Sequence, residues 1–223
     1  MPSPVSSSSA RIESTAGIIL RTRPLTETSL IIHWLTPERG RVATVAKGAR
    51  RPKSSFHGKL DLFYRCDFSF SRSTRSELHT LREVVVRDPH EKLRHELGWL
   101  QQAAYAAALI EQTTETDTPL PEIYELFAGL LEFLPGQPAR PRAVFAFELK
   151  LLRELGLEPE VTDTKLTRAT RELIQALTNE DWPALNALHA TAAQVRELQQ
   201  FLHGFLIYHL GKLPKGRNAA ITG

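Results

Sequence analysis

The hydrophobic period of this chain changes once, at Asp88-Pro89, and that change commits it to two differently built halves. Before it, short runs rich in Ile, Val, Leu and Thr predict strands at Thr15–Thr22, Ser29–Thr36 and Arg41–Ala46. Pro24, the Pro37-Glu38-Arg39-Gly40 turn and the Gly48–Pro52 stretch separate or end them. Leu60–Ser71 sets Leu60, Leu62, Tyr64, Cys66, Phe68 and Phe70 at a period of two, the mark of a half-buried strand, and Leu78–Val86 supplies a fifth.

Five short strands within about 75 residues predict a small barrel, because closure removes exposed strand edges. The oligonucleotide-binding (OB) barrel is the commonest fold with that count, and an SH3-like barrel is the competing choice. After Asp88-Pro89, Leu93, Leu97, Leu100, Ala104 and Ala107 recur at helical spacing. Ile123, Leu126, Phe127, Leu130, Leu131 and Leu134 do the same after Pro119 and Pro121. Across Arg142–Leu155 apolar residues cover most of the circumference, which predicts a helix buried on several sides and ended by Gly156. Further helical patterns run near Lys165–Leu177, Pro183–Leu188 and Ala193–Leu210, the last with Val195, Leu198, Leu202, Phe205 and Leu206 on one side. The expected organisation is α+β and multidomain. A disordered tail at 1–14 precedes a five-stranded OB-fold β-barrel at 15–88 and an all-helical domain at 89–215, and residues 216–223 form a flexible C-terminus. The serine-rich start lacks the apolar stretch of a secretory signal, and no window approaches 18 uninterrupted apolar residues, so a soluble, cytoplasmic protein is expected.

Charge divides at the same boundary. Residues 1–90 hold 15 Lys and Arg against 8 Asp and Glu, whereas residues 91–223 hold 13 against 17. This division points to a cationic module for a polyanion joined to a module with another task. From Arg39 to Lys59 lie seven cations and no acid: Arg39, Arg41, Lys47, Arg50, Arg51, Lys53 and Lys59. Apolar strands flank them, so they collect at a strand end and its loop, as neutralising successive phosphates requires. Without polar partners at fixed spacing, the segment is expected to follow a nucleic-acid backbone and not to read bases. Trp34, Phe56, Phe63 and Tyr64 are candidates for base stacking, but aromatic residues of small barrels are mostly core, and Phe56 is singled out because it lies inside the basic loop. Lys212, Lys215 and Arg217 form a second, smaller basic site that suits DNA, an acidic peptide or plain solvation.

Catalytic chemistry finds no support. Gly48-Ala49-Arg50-Arg51-Pro52-Lys53-Ser54 lacks the glycine that a phosphate-binding loop places before its lysine. His90 and His95 are five apart, where two ligands on one helix face need four, and are expected to be solvated. Cys66 is the single cysteine, which excludes an intramolecular disulfide and a multi-cysteine metal site, and it reads as a small buried hydrophobe. Glu158 and Glu160 read as surface charges.

Gly17-Ile18-Ile19-Leu20-Arg21, Leu35-Thr36-Pro37-Glu38-Arg39-Gly40 and Val45-Ala46-Lys47-Gly48-Ala49-Arg50-Arg51-Pro52-Lys53-Ser54 resemble the start of the RecO family of bacterial DNA repair proteins. Phe147-Glu148-Leu149-Lys150-Leu151-Leu152 looks like that family's central helix, and Tyr208-His209-Leu210-Gly211-Lys212 is similar to its C-terminal signature. The resemblance implies an OB fold followed by helices, and a non-enzymatic mediator of DNA repair and homologous recombination. Such a protein binds single- and double-stranded DNA, anneals complementary strands and helps load RecA on DNA coated by single-strand-binding protein (SSB). The implied partners are RecR, sometimes RecF, the C-terminal tail of SSB and, indirectly, RecA, at the nucleoid. Many members carry a four-cysteine zinc module after the central helix. Residues 157–170 hold no cysteine here, so no cofactor or metal is expected. The alternative is a protein-interaction adaptor, or an RNA-binding barrel with a helical scaffold.

Overall fold

A computed structural model describes residues 11–162 and 165–222. They form two compact units: one runs to Pro89 and includes Thr116–Thr118, and the other comprises His90–Glu115 and Pro119 onward.

The first unit is a closed barrel of β1 (Ile12–Pro24), β2 (Leu30–Thr36), β3 (Gly40–Ala46), β4 (Arg65–Ser71) and β5 (Leu78–Asp88), in the order β1-β2-β3-β5-β4. The β1–β3 meander is antiparallel, β3 pairs in parallel with β5 over Ala43–Val45, and β4 returns beside β1. This is the OB topology; the SH3-like alternative is set aside. Residues 1–10 of the expected tail lie outside the described residues, but Ile12–Ser14 already belong to β1. The barrel core includes Ile19, Ile32, Trp34, Phe68 and Phe70, and Cys66 is a buried filler whose thiol burial pushes up to about 12. Trp34 stacks on Phe68 at 4.0 Å, and its Nε1 donates to Thr44 Oγ1 at 2.8 Å inside the barrel. Gly17 is required there: a Cβ would lie 2.9 Å from the Phe68 ring and 3.1 Å from the Leu35 carbonyl.

The expected strand at Leu60–Ser71 is half right. Residues up to Tyr64 are turns, because Phe63 takes φ 67° and inserts as a core residue with 1% exposure while Leu62 faces out. The bonds Phe63 N to Ile19 O (2.8 Å) and Ile19 N to Tyr64 O (3.1 Å) hold this conformation. Thr116–Thr118, expected in the helical domain, belong to the barrel unit: Asp117 N donates to Arg41 O at 3.1 Å.

The second unit comprises α1 (Leu97–Thr113), α2 (Pro121–Phe133), α3 (Pro141–Glu154), α4 (Arg168–Asn179), α5 (Ala192–Leu210) and α6 (Arg217–Thr222). Prolines open α2 and α3 at positions where no amide donor is needed. Thr191 and Gln194 form a capping box at α5. Every residue of α3 from Ala143 to Leu152 is buried, as its all-round apolar pattern requires. The face predicted for α1 is only partly right: Leu93 and Ala107 are buried, but Leu97 is 69% exposed, Ala104 is exposed, and Ala103, Ala106 and Ile110 point inward instead. That buried face mixes alanines with Gln102, Tyr105, Leu109 and Ile110, and α1 packs against α6, α2 and α3. His90 is buried with φ 45°, so it is not the solvated histidine expected, whereas His95 is exposed.

The C-terminus is likewise not flexible over 217–222. Ala220 and Ile221 of α6 are buried, and Gln102 of α1 donates to Ala220 O at 3.1 Å. Arg217 is 4% exposed and grips Glu148 of α3 through Nε and a second guanidinium nitrogen at 2.6 and 2.8 Å. Tyr105 of α1 donates to the same carboxylate at 2.6 Å. Burial, then the Glu148 charge, pushes the Tyr105 phenol up, so it stays a donor at all ordinary pH.

Candidate nucleic-acid interface

The connection from β3 to β4 leaves the barrel as consecutive turns. Arg51 N donates to Gly48 O (3.0 Å), Ser54 N to Arg51 O (3.0 Å), His57 N to Ser54 O (3.2 Å) and Lys59 N to Phe56 O (3.1 Å). Gly48 opens the series at φ 70°, a conformation that side-chain-bearing residues resist. Two anchors fix the segment. Phe56, 9% exposed, plugs the barrel core, and Arg50 N donates to Thr28 O of the β1–β2 loop at 2.9 Å. Along this segment the side chains of Lys47, Arg50, Arg51 and Lys53 are all exposed. Four cations on a short, braced turn segment form a concentrated positive field with little ordering entropy left to lose on binding an anion.

The seven predicted cations therefore do not form one site. Six residue steps of β3 put Gly40 about 20 Å from Ala46. Arg39 consequently sits at the far end of the barrel, where it pairs with Glu13 at 2.6 Å, a partner from β1 that no local reading supplies. Arg41 is half-buried on the outer face of β3, and Lys59 is half-buried near the end of the connection. Phe56 is corrected from stacking residue to core plug: it is the one large apolar side chain between Lys47 and Lys59, and the hydrophobic effect draws it in. Trp34, Phe63 and Phe68 are core as well, and Tyr64 is half-buried. In the helical unit Lys212 and Lys215 are exposed, but Arg217 is withdrawn from the predicted second basic site by its pairing with Glu148.

Sequence reading missed Arg21 and Arg23. Strict alternation from the core residue Ile19 would point both inward. A bulge between Ile19 and Arg21 adds a residue, so Arg21 registers with His33 and Arg23 with Ile31 on the outer face, while Ile32 and Trp34 point in. The run Ile18-Ile19-Leu20, three apolar residues against a period of two, was the available signal. Burial, then the charges of Arg21, Arg23 and Arg41, pulls the His33 imidazole down to about 4. It is therefore neutral at pH 7 and surrounded by guanidinium charge.

This gives a pH prediction. Below about 6.5 the unfolded chain protonates His33, while the folded chain resists down to about 4, so His33 costs stability as pH falls through that window. Allowing for its partial exposure, the expected loss is about 1–2 kcal/mol. Urea midpoints at pH 7 and pH 4.5 should therefore differ by less in His33→Gln than in the parent; equal differences would refute the assignment.

Among the described residues no group of three or more His, Cys, Asp or Glu is placed to hold a metal ion, and no helix is long and apolar enough to cross a membrane. Residues 11–90 match the family model for the recombination protein O N-terminal domain, and residues 95–170 match that for its C-terminal domain. The chain is 35% identical over 145 residues to a DNA repair protein RecO of Anaeromyxobacter sp. strain K, covering 65% of this chain and 57% of that protein. It is 32% identical over 143 residues to the RecO of Rhodopirellula baltica, with 64% and 53% covered. With the RecO of Delftia acidovorans the identity is 31% over 166 residues, with 73% and 64% covered. The matched stretch thus spans less than two thirds of each of these relatives.

Proposed function

Because the chain belongs to the RecO family, we propose that it acts in DNA repair and homologous recombination as a non-enzymatic mediator. In this reading it binds single- and double-stranded DNA, anneals complementary strands and assists RecA loading on SSB-coated DNA in the cytoplasm. The observation that carries this reading is the braced turn segment with its four exposed cations, Lys47, Arg50, Arg51 and Lys53. Annealing breaks no covalent bond. It needs cations that lower the repulsion between two phosphate backbones while the bases stay free to pair, and this segment supplies charge with no Asn, Gln, Asp or Glu among residues 47–59. RecR, RecF and the SSB tail are the partners the family relationship suggests; exposed Lys212 and Lys215 suit the acidic one.

The test is salt dependence. Four neutralised phosphates predict a log–log slope of single-strand affinity against salt of roughly −2.8 from this segment alone. A slope near zero would return the chain to the adaptor reading. Annealing of complementary strands precoated with cognate SSB tests the mediator step separately: no acceleration over a protein-free control removes that step even where DNA binding survives.

A further inference from the structure

Arg21 and Arg23 are exposed on the outer face of β1, two residues apart, so their Cα atoms lie about 6.6 Å from each other along the strand. Arg23 adjoins Pro24, where the β1–β2 loop begins. That loop holds Arg50 through its backbone amide on Thr28 O at 2.9 Å and its guanidinium on Thr26 O at 3.5 Å. The β1–β2 loop, which also carries the exposed Glu27, thus links the strand bearing Arg21 and Arg23 to Arg50 of the cationic turn segment.

The remainder of the face lacks what base binding requires. On β2 and β3 the same face carries Ile31, His33, the half-buried Arg41, Ala43 and Val45, which add methyl groups, one neutral imidazole and a third guanidinium. Of the barrel's aromatic rings, Trp34 is 0% exposed, Phe63 1%, Phe68 3% and Phe70 1%, and Tyr64 is half-buried against the core. The exposed large hydrophobic residues of this unit, among the described residues, are Ile12, Leu25, Leu62 and Val85, none of them aromatic. No Asn, Gln, Asp or Glu stands among these outward residues to read a base edge.

Resting on the DNA-binding reading above, we propose that a single strand crosses the open β1–β2 face with its phosphates toward Arg21, Arg23 and Arg50 and its bases turned to solvent. This orientation is the reverse of binding on an aromatic stacking platform. Its consequence is direct: the pairing edges of the bound strand stay open, so a complementary strand can pair with it before it is released.

The experiment measures binding of an end-labelled oligothymidylate and of an abasic strand of equal length and charge by fluorescence anisotropy. The abasic strand is expected to bind within about threefold of the thymidylate, since stacking would contribute at least about fivefold per base. A loss beyond tenfold for the abasic strand would overturn the bases-out orientation. Arg21→Gln/Arg23→Gln should weaken both strands about tenfold and reduce the salt slope by about 1.4, two phosphates' worth, while Arg21→Lys/Arg23→Lys retains binding. Both residues are exposed, and thermal melting checks that the Gln variant folds. If that variant binds like the parent, the path over the face is wrong, and a loss on reversing the turn-segment charges leaves the broader DNA reading intact. If reversal of those charges also changes nothing, both fall together.

Discussion

Arg217→Met is expected to destabilise the helical unit by about 3–5 kcal/mol, the cost of leaving a buried carboxylate without its cation. Glu148 is 0% exposed, and Arg217 is bound to both its oxygens. Tyr105 remains as a single neutral donor, which does not compensate a full charge. Urea unfolding of the intact chain reads the loss directly. The companion variant Tyr105→Phe/Glu148→Leu/Arg217→Met removes the charges together with their partners and should recover to within about 1–2 kcal/mol of the parent, because an apolar replacement of comparable volume needs no desolvation of ions. A single Arg217→Met variant within about 1 kcal/mol of the parent would show that α6 is not anchored by this pair.

Reversing Lys47, Arg50, Arg51 and Lys53 to Glu should weaken single-strand DNA binding by about 100-fold or more at moderate salt, since four counterion-releasing contacts become four repulsive charges. The side chains are exposed and the Phe56 plug is untouched, so the melting temperature should move little. Loss of binding with an unchanged melt locates the effect in the surface and not in the fold. Retained affinity would dismiss this segment as the DNA site. Phe56→Ala separates the two roles further: it should lower stability by about 3–5 kcal/mol, reduced in proportion to any collapse of the loop, through a core cavity and not through a lost stacking contact.

The features legible in the sequence were those set by neighbours along the chain. The period of two announced Cys66, Phe68 and Phe70 as core, and the apolar circumference of Val144–Leu152 announced the buried helix α3. The density of Lys and Arg around Gly48 announced a cationic loop, and its four exposed members are where that reading put them. Errors arose where a partner came from elsewhere. Arg39 has a carboxylate neighbour only because β1 runs past the β2–β3 turn, and Phe63 is core only because its left-handed backbone reverses the local alternation. A glutamate inside an apolar helix was itself a signal that a buried cation must exist. Nothing local said that the cation was Arg217, 69 residues away.

By itself the sequence determined the strand-to-helix division, the OB strand count, the central buried helix and the cation-dense stretch from Arg39 to Lys59, because hydrophobic period and charge density are properties of consecutive residues. Tertiary structure alone decided which cations face solvent together. A one-residue bulge at Leu20 turned Arg21 and Arg23 outward, and an ion pair closed over long range took Arg217 out of the surface. Side-chain direction inverts with a single inserted residue, and a buried charge is tolerable only beside its partner, so both outcomes depend on pairings made across the folded chain.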